Sequence, residues 1–118
     1  MKRLIGAVSS RALDPKAMMR AWGNTSGSAS PTLDSPSFGI SSITDGGVGL
    51  LDVTWSTAFG GAATYAVVAI SQQTPADVLN VYITTTQTAT AVRLAIGTPA
   101  ATLADLGAGG LHIMAVGI

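Results

Sequence analysis

Residues that could carry out catalysis are few in this sequence and scattered along it. The single histidine, His112, stands between Leu111 and Ile113, where a structural or interface role is favoured over a catalytic one. The six acidic residues are all aspartates. Their spacing does not indicate the facing carboxylate pair of a glycosidase, in which the two groups lie about 5–10 Å apart. There is no Gly-x-Ser-x-Gly motif and no glycine-rich phosphate loop followed by a lysine. We therefore predict that the protein is not an enzyme.

Metal and cofactor sites are equally unsupported by the residue types present. The chain has no cysteine, which excludes disulfides and thiolate ligands. Asp45 precedes Gly46 and Gly47, and this pattern is typical of a turn residue whose carboxylate bonds local amides. Calcium needs six to eight oxygen ligands, and the sequence around Asp45 does not indicate such a set. No metal and no cofactor are predicted.

The composition predicts that much of the surface is covered by other chains. Apolar residues make up 47% of the sequence and charged residues only 10%, whereas an ordinary soluble domain has about 25% charged residues. The polar surface must therefore come mainly from serine, threonine, asparagine and glutamine. Because a monomer with so few charges tends to associate, we expect a homo-oligomer.

Positive charge is concentrated at the N-terminus. The first twenty residues have a net charge of +4, five basic residues less Asp14, and residues 21–118 have −4, Arg93 against five aspartates. Such asymmetry predicts an interaction arm over residues 1–22 that docks on an acidic partner surface; a solvated tail is the alternative. Nucleic acid is not favoured, since it requires a basic face with aromatics. The predicted anchoring residues are Lys2, Arg3, Arg11, Lys16, Arg20 and Trp22.

The apolar run near the N-terminus is too short to direct export. Leu4–Val8 has five residues before Ser9, whereas the apolar core of a signal peptide has about 7–15. No run approaches the roughly 20 apolar residues of a membrane helix. We therefore expect neither a signal peptide nor membrane insertion.

Strand signals dominate from residue 37 onward. Before them, Asp14-Pro15 predicts the start of a short helical turn that ends near Gly23, and residues 23–36 are expected to form a linker loop. Alternating apolar residues, interrupted by glycine and proline, predict an all-β fold, an antiparallel β-sandwich of about six to eight strands over residues 37–118. Six strands are placed at about 37–44, 48–57, 63–71, 78–86, 89–97 and 111–117.

A family resemblance extends over about residues 21–118. Ala21-Trp22-Gly23-Asn24 is followed by the run Ser37-Phe38-Gly39-Ile40-Ser41-Ser42-Ile43-Thr44-Asp45-Gly46-Gly47, and then by Thr57-Ala58-Phe59 and Tyr65-Ala66-Val67-Val68. This arrangement resembles a β-rich domain that recurs in tailed-bacteriophage fibres and other virion structural proteins. The resemblance implies a virion location, synthesis in the host cytoplasm and assembly as a homotrimer. That domain often ends a long fibre chain, whereas here about twenty residues precede it, which favours a short spike, a tip subunit or a capsid decoration; of these, a short fibre or spike subunit is the predicted function.

Two other functions are retained as alternatives. One is a capsid decoration or cement protein, in which the arm and the apolar faces bind neighbouring shell subunits. The other is a carbohydrate-binding module that attaches to host glycans. Trp55 is expected to face the core, so Tyr82 is the best aromatic candidate for surface recognition, with Asn80, Gln72 and Gln73 as polar candidates.

Overall fold

Seven β-strands form the protein in the computed structural model, which describes residues 18–72, 79–100, 102–107 and 109–118. The all-β prediction is confirmed, and each of the six predicted strands lies within a few residues of an observed one. The predicted anchoring residues Lys2, Arg3, Arg11 and Lys16 lie outside the described residues, as does Gln73. The strands are β1 Met19–Asn24, β2 Ile40–Gly47, β3 Leu50–Trp55, β4 Tyr65–Ser71, β5 Asn80–Gln87, β6 Ala91–Gly97 and β7 Leu111–Gly117.

Two antiparallel sheets face each other, as predicted for a sandwich. One has three strands in the order β1-β7-β4, and the other has four in the order β2-β3-β6-β5. Their facing surfaces supply one apolar core, because alternate residues of each strand point inward. The buried apolar residues are Ala21, Ile40, Leu51, Val53, Trp55, Phe59, Tyr65, Val67, Val92, Leu94, Ile96, Leu106, Leu111, Ile113 and Ala115.

Strand β1 was not expected from the sequence. The helical turn predicted up to Trp22 is wrong in its described part, since Met19–Asn24 is a strand paired with β7. Ala21 points into the core and Trp22 points outward, while a bulge near Arg20 shifts the register. Pairing with β7 satisfies the backbone here. The strand therefore takes in residues that were predicted to belong to the arm and the linker.

The hairpin between β2 and β3 turns later than expected. The turn was predicted at Asp45–Gly47, but β2 continues through Gly47 and the chain reverses at Val48–Gly49. Gly49 has a φ of 65°, a left-handed conformation that glycine adopts without steric cost. As expected for a turn residue, Asp45 accepts a hydrogen bond from a local amide, that of Gly47, at 2.9 Å.

The segment after β1 is fastened to the sandwich. The amide of Thr25 donates to the carbonyl of Leu111 at 2.9 Å, and its hydroxyl accepts a hydrogen bond from the Leu111 amide at 3.0 Å. Thr25 also forms a bridge with Leu33. Gly110 packs against the Thr25 carbonyl so closely that a Cβ atom there would overlap it. Part of the predicted linker is thus packed against the start of β7.

Candidate interaction surfaces

The outer surface of the three-stranded sheet is apolar in every strand. Its side chains come from alternate positions that point away from the core. We call this surface the apolar face: Met19, Trp22, Ala66, Val68, Ile70, Met114 and Val116. Both β4 and β7 have apolar residues on two sides, and one side of each forms this outer surface.

One row of large side chains crosses the apolar face from edge to edge. Backbone pairing places Phe38 beside Trp22, Trp22 beside Met114, and Met114 beside Val68. Phe38 is 56% exposed and Val68 is 51% exposed, and the two between them are about two-fifths exposed. An exposed patch of several hundred Å² rimmed by polar groups commonly marks a contact surface for another molecule.

Charged side chains are absent from the apolar face in the part of the chain that the structure describes. At the end where β7 begins, the rim is polar: Nε2 of His112 lies 2.9 Å from Oε1 of Gln72, and Asn24 is opposite His112. A depression of about 430 Å³ lies along β1 and β7 between Met19 and His112. A neutral face of this kind excludes long-range charge attraction as its means of recognition and favours contact by apolar burial.

The predicted anchoring residues in the described region occupy two different environments. Arg20 does not project into solvent as a free charge, because its guanidinium lies 4.8 Å from the centre of the buried Phe59 ring. This cation–π contact ties Arg20 to the rim of the core. Trp22, by contrast, lies on the apolar face and is available for contact.

The predicted recognition residues are only partly brought together. Asn80 and Tyr82 lie side by side on the outer surface of β5, where the amide nitrogen of Asn80 donates to the Tyr82 hydroxyl at 3.2 Å. Gln72 instead pairs with His112 at the rim of the apolar face. The contribution of Trp22 and Phe38 to a continuous surface was missed, because it depends on a backbone bridge between distant residues.

Three aromatic rings close one end of the core. Trp55 is buried, as predicted, and its ring meets those of Phe59 and Tyr65 edge-on, at 5.7 and 5.8 Å between centres. The indole nitrogen of Trp55 donates to the Tyr65 hydroxyl at 3.2 Å, and that hydroxyl donates to the Thr88 carbonyl at 2.6 Å. Burial raises the pKa of Tyr65, and the hydrogen bond from Trp55 partly opposes this shift. The cluster organises the fold and presents no open site.

An ion pair lies on the outer surface of the four-stranded sheet. Nε and Nη2 of Arg93 each donate to a different carboxylate oxygen of Asp52 at 2.7 Å, across adjacent strands β6 and β3. The hydrogen bond from Arg93 holds the pKa of the Asp52 carboxyl below its ordinary value. The side chains of Asp52 and Arg93 are about one-third exposed. The pair therefore fixes strand register rather than forming a reactive site.

The Asp52→Asn variant is expected to lose a small, acid-sensitive part of the stability. Because the folded pKa of Asp52 is lowered, its contribution is present above the unfolded value of about 3.9 and is lost as the pH falls through the folded value. The urea midpoint of the wild type should exceed that of the variant at about pH 6, and the two should converge near about pH 2. Asp34→Asn, at an exposed carboxylate without an ion pair among the described residues, is the control and should show no such convergence.

No protein-family model, curated protein or solved structure matches this chain. Within the described ranges, no three histidine, cysteine, aspartate or glutamate side chains are grouped so that they could hold a metal ion. The same ranges contain no helix that is long and apolar enough to cross a bilayer.

Proposed function

We propose that this protein is a structural subunit of a bacteriophage particle, a short fibre or spike subunit that acts by assembly. The observation that carries the proposal is the apolar face, an uncharged sheet surface that includes the exposed Trp22, Val68 and Met114. The resemblance of residues 21–118 to virion structural domains supports the same reading. Contact with other copies removes this face from water and gives the sparsely charged chain a stable form.

In this role, two parts of the chain bind different partners. The apolar face joins copies of the subunit, and a homotrimer is the assembly that the resemblance implies. The N-terminal segment, with its net charge of +4 over residues 1–20, then joins the assembly to an acidic surface of another virion protein. Host attachment, where it occurs, falls to exposed positions such as Asn80 and Tyr82.

Antibody labelling of purified phage particles, viewed by electron microscopy, tests the proposal. Label on the tail tip or on projecting fibres is the expected result and leads to a competition assay for adsorption to the host. Label spread over the head would replace the fibre role with the decoration role, and shell stability with and without the protein would then be compared. A particle preparation without any label would overturn the structural role.

A further inference from the structure

A cleft opens between the two sheets at one side of the sandwich. The three-stranded sheet ends at β4 and the four-stranded sheet ends at β5, so two strand edges lie next to each other. Between them is a space of about 460 Å³. Apart from Tyr82, the residues that line it have apolar side chains: Val67, Val68, Ala69, Val81, Tyr82, Ile83 and Leu94.

The side chain of Ile83 shows that the core is uncovered along this cleft. Ile83 pairs with the buried Leu94, and their side chains lie on the inner face of the sheet. An inward-facing isoleucine in a complete sandwich is buried, yet Ile83 is 45% exposed. Among the described strands, three pack on four, and none of them lies above part of the inner face of β5.

The edge of β4 that faces the cleft pairs with no other strand in the described ranges and presents backbone groups to the cleft. The amide of Gln72 donates to the carbonyl of Gly110, which fixes the phase of the β4–β7 ladder. In an antiparallel pair, alternate residues bond the partner and those between them point away. Val67 and Ala69 therefore direct their amides and carbonyls away from β7, toward the cleft.

The edge of β5, on the opposite wall of the cleft, also presents backbone groups to it. The amide of Ile96 in β6 donates to the carbonyl of Gly49, on the side of β6 that faces β3. The residues of β6 on either side of Ile96 therefore bond β5, and one of them pairs with Tyr82. Val81 and Ile83 then direct their backbone groups toward the cleft. Each wall thus combines apolar side chains with unpaired amides and carbonyls, which is the arrangement that binds an added strand.

The edge of β4 is the better of the two for receiving a strand. Its seven residues pair with β7 in continuous register from Tyr65 to Ser71, without a charged side chain. The register of β5 is interrupted after Ile83. A strand added to β4 would complete a four-stranded sheet opposite the existing four-stranded sheet, and its inward side chains would cover Ile83.

We infer that the chain's own segment Leu4–Val8 occupies this cleft when the N-terminal segment is not bound to a partner. It is an apolar run of five residues with two β-branched members, Ile5 and Val8, as an inserted strand requires. Residues 1–20, which include this segment, carry a net charge of +4, and residues 21–118 carry −4. The attraction between them favours docking of the segment on the body.

The start of β1 lies within reach of the cleft. Met19 pairs with Val116, which pairs with Ala66 of β4, so two strand spacings, about 10 Å, separate Met19 from β4. The nine residues 9–17 can extend roughly 30 Å. A depression of about 390 Å³ between Ala63 and Ile118 lies at this end of β4. A segment that enters from this end runs antiparallel to β4.

Disulfide trapping in the full-length chain tests the inference, and the absence of native cysteines makes every crosslink unambiguous. Ala69→Cys in the cleft is combined in turn with Leu4→Cys, Ile5→Cys or Gly6→Cys. Because a disulfide requires Cα atoms about 4.4–6.8 Å apart, a segment held in the cleft crosslinks there in preference to other acceptor positions under mild oxidation. Ile83→Cys, on the opposite wall, repeats the test in case Ala69→Cys disturbs folding.

The matched control places the acceptor at Ser42→Cys, an exposed position on β2 at the opposite edge of the molecule. We expect an intramolecular disulfide with Ala69→Cys or Ile83→Cys, at least about tenfold more abundant than with Ser42→Cys, as read by intact mass and non-reducing electrophoresis. Equal crosslinking at all acceptors, exclusively intermolecular crosslinks, or none in folded protein would each overturn the inference. The readout uses the purified chain, so its failure is separable from failure of the proposed virion role.

Discussion

Replacing Val68 by aspartate is expected to separate the assembled protein into monomers while the β-sandwich stays folded. Val68 lies at one end of the row that crosses the apolar face and is half exposed in the single chain, so the new charge remains in water in the monomer. In an assembly built through this face, the charge would be buried without a partner, at a cost of several kcal/mol. Light scattering measures the mass, and circular dichroism checks the fold.

Val67→Asp is the matched control for this prediction. The neighbouring residue is of the same type, but its side chain points into the core and is buried. The same substitution there should unfold the chain rather than dissociate it. A wild-type monomer at micromolar concentration, or a Val68→Asp protein with unchanged mass, would contradict assembly through the apolar face.

Trp55→Ala is expected to cost about 3–5 kcal/mol of the free energy of unfolding. Trp55 packs edge-on against Phe59 and Tyr65 and donates a hydrogen bond to the Tyr65 hydroxyl. Its removal leaves a cavity and deletes that hydrogen bond. Since domains of this size are stable by about 5–15 kcal/mol, urea unfolding should show a large fall in the midpoint.

Trp22→Ala makes the same chemical change on the apolar face. Measured in the Val68→Asp background, where only the monomer is present, it should cost under about 1 kcal/mol, because the side chain is already partly in water. In the wild-type background it should weaken assembly. Equal losses of stability at Trp22 and Trp55 in the monomer would contradict the assignment of one to the core and the other to a contact surface.

The strands that the sequence predicts are those with a local signal. In β3, Leu51, Val53 and Trp55 alternate with polar residues, and the alternation alone shows which face is buried. β1 has no such signal, because Met19, Arg20 and Ala21 are among the better helix formers. Its conformation comes from pairing with β7, more than eighty residues later in the chain, and a local pattern does not encode such a partner.

The candidate surfaces, like the strands, could be predicted from the sequence only where the signal is local. Tyr82 and Asn80 are two residues apart on one strand, so their proximity follows from the pleat. The row from Phe38 to Val68 draws on three strands and a bridge, and therefore required the strand order. The open cleft also depends on that order, since it results from three strands packing on four.

The central position of β7 sets the order in which the protein can form during translation. β7 lies between β1 and β4, both of which precede it along the chain. Until the ribosome has released residues 111–117, β1 and β4 have no neighbour with which to pair in their sheet. The β2-β3-β6-β5 sheet is synthesised in full before that point, with its inner face uncovered. The core is thus completed only as β7, the last strand among the described residues, emerges, and the apolar face cannot form before that point.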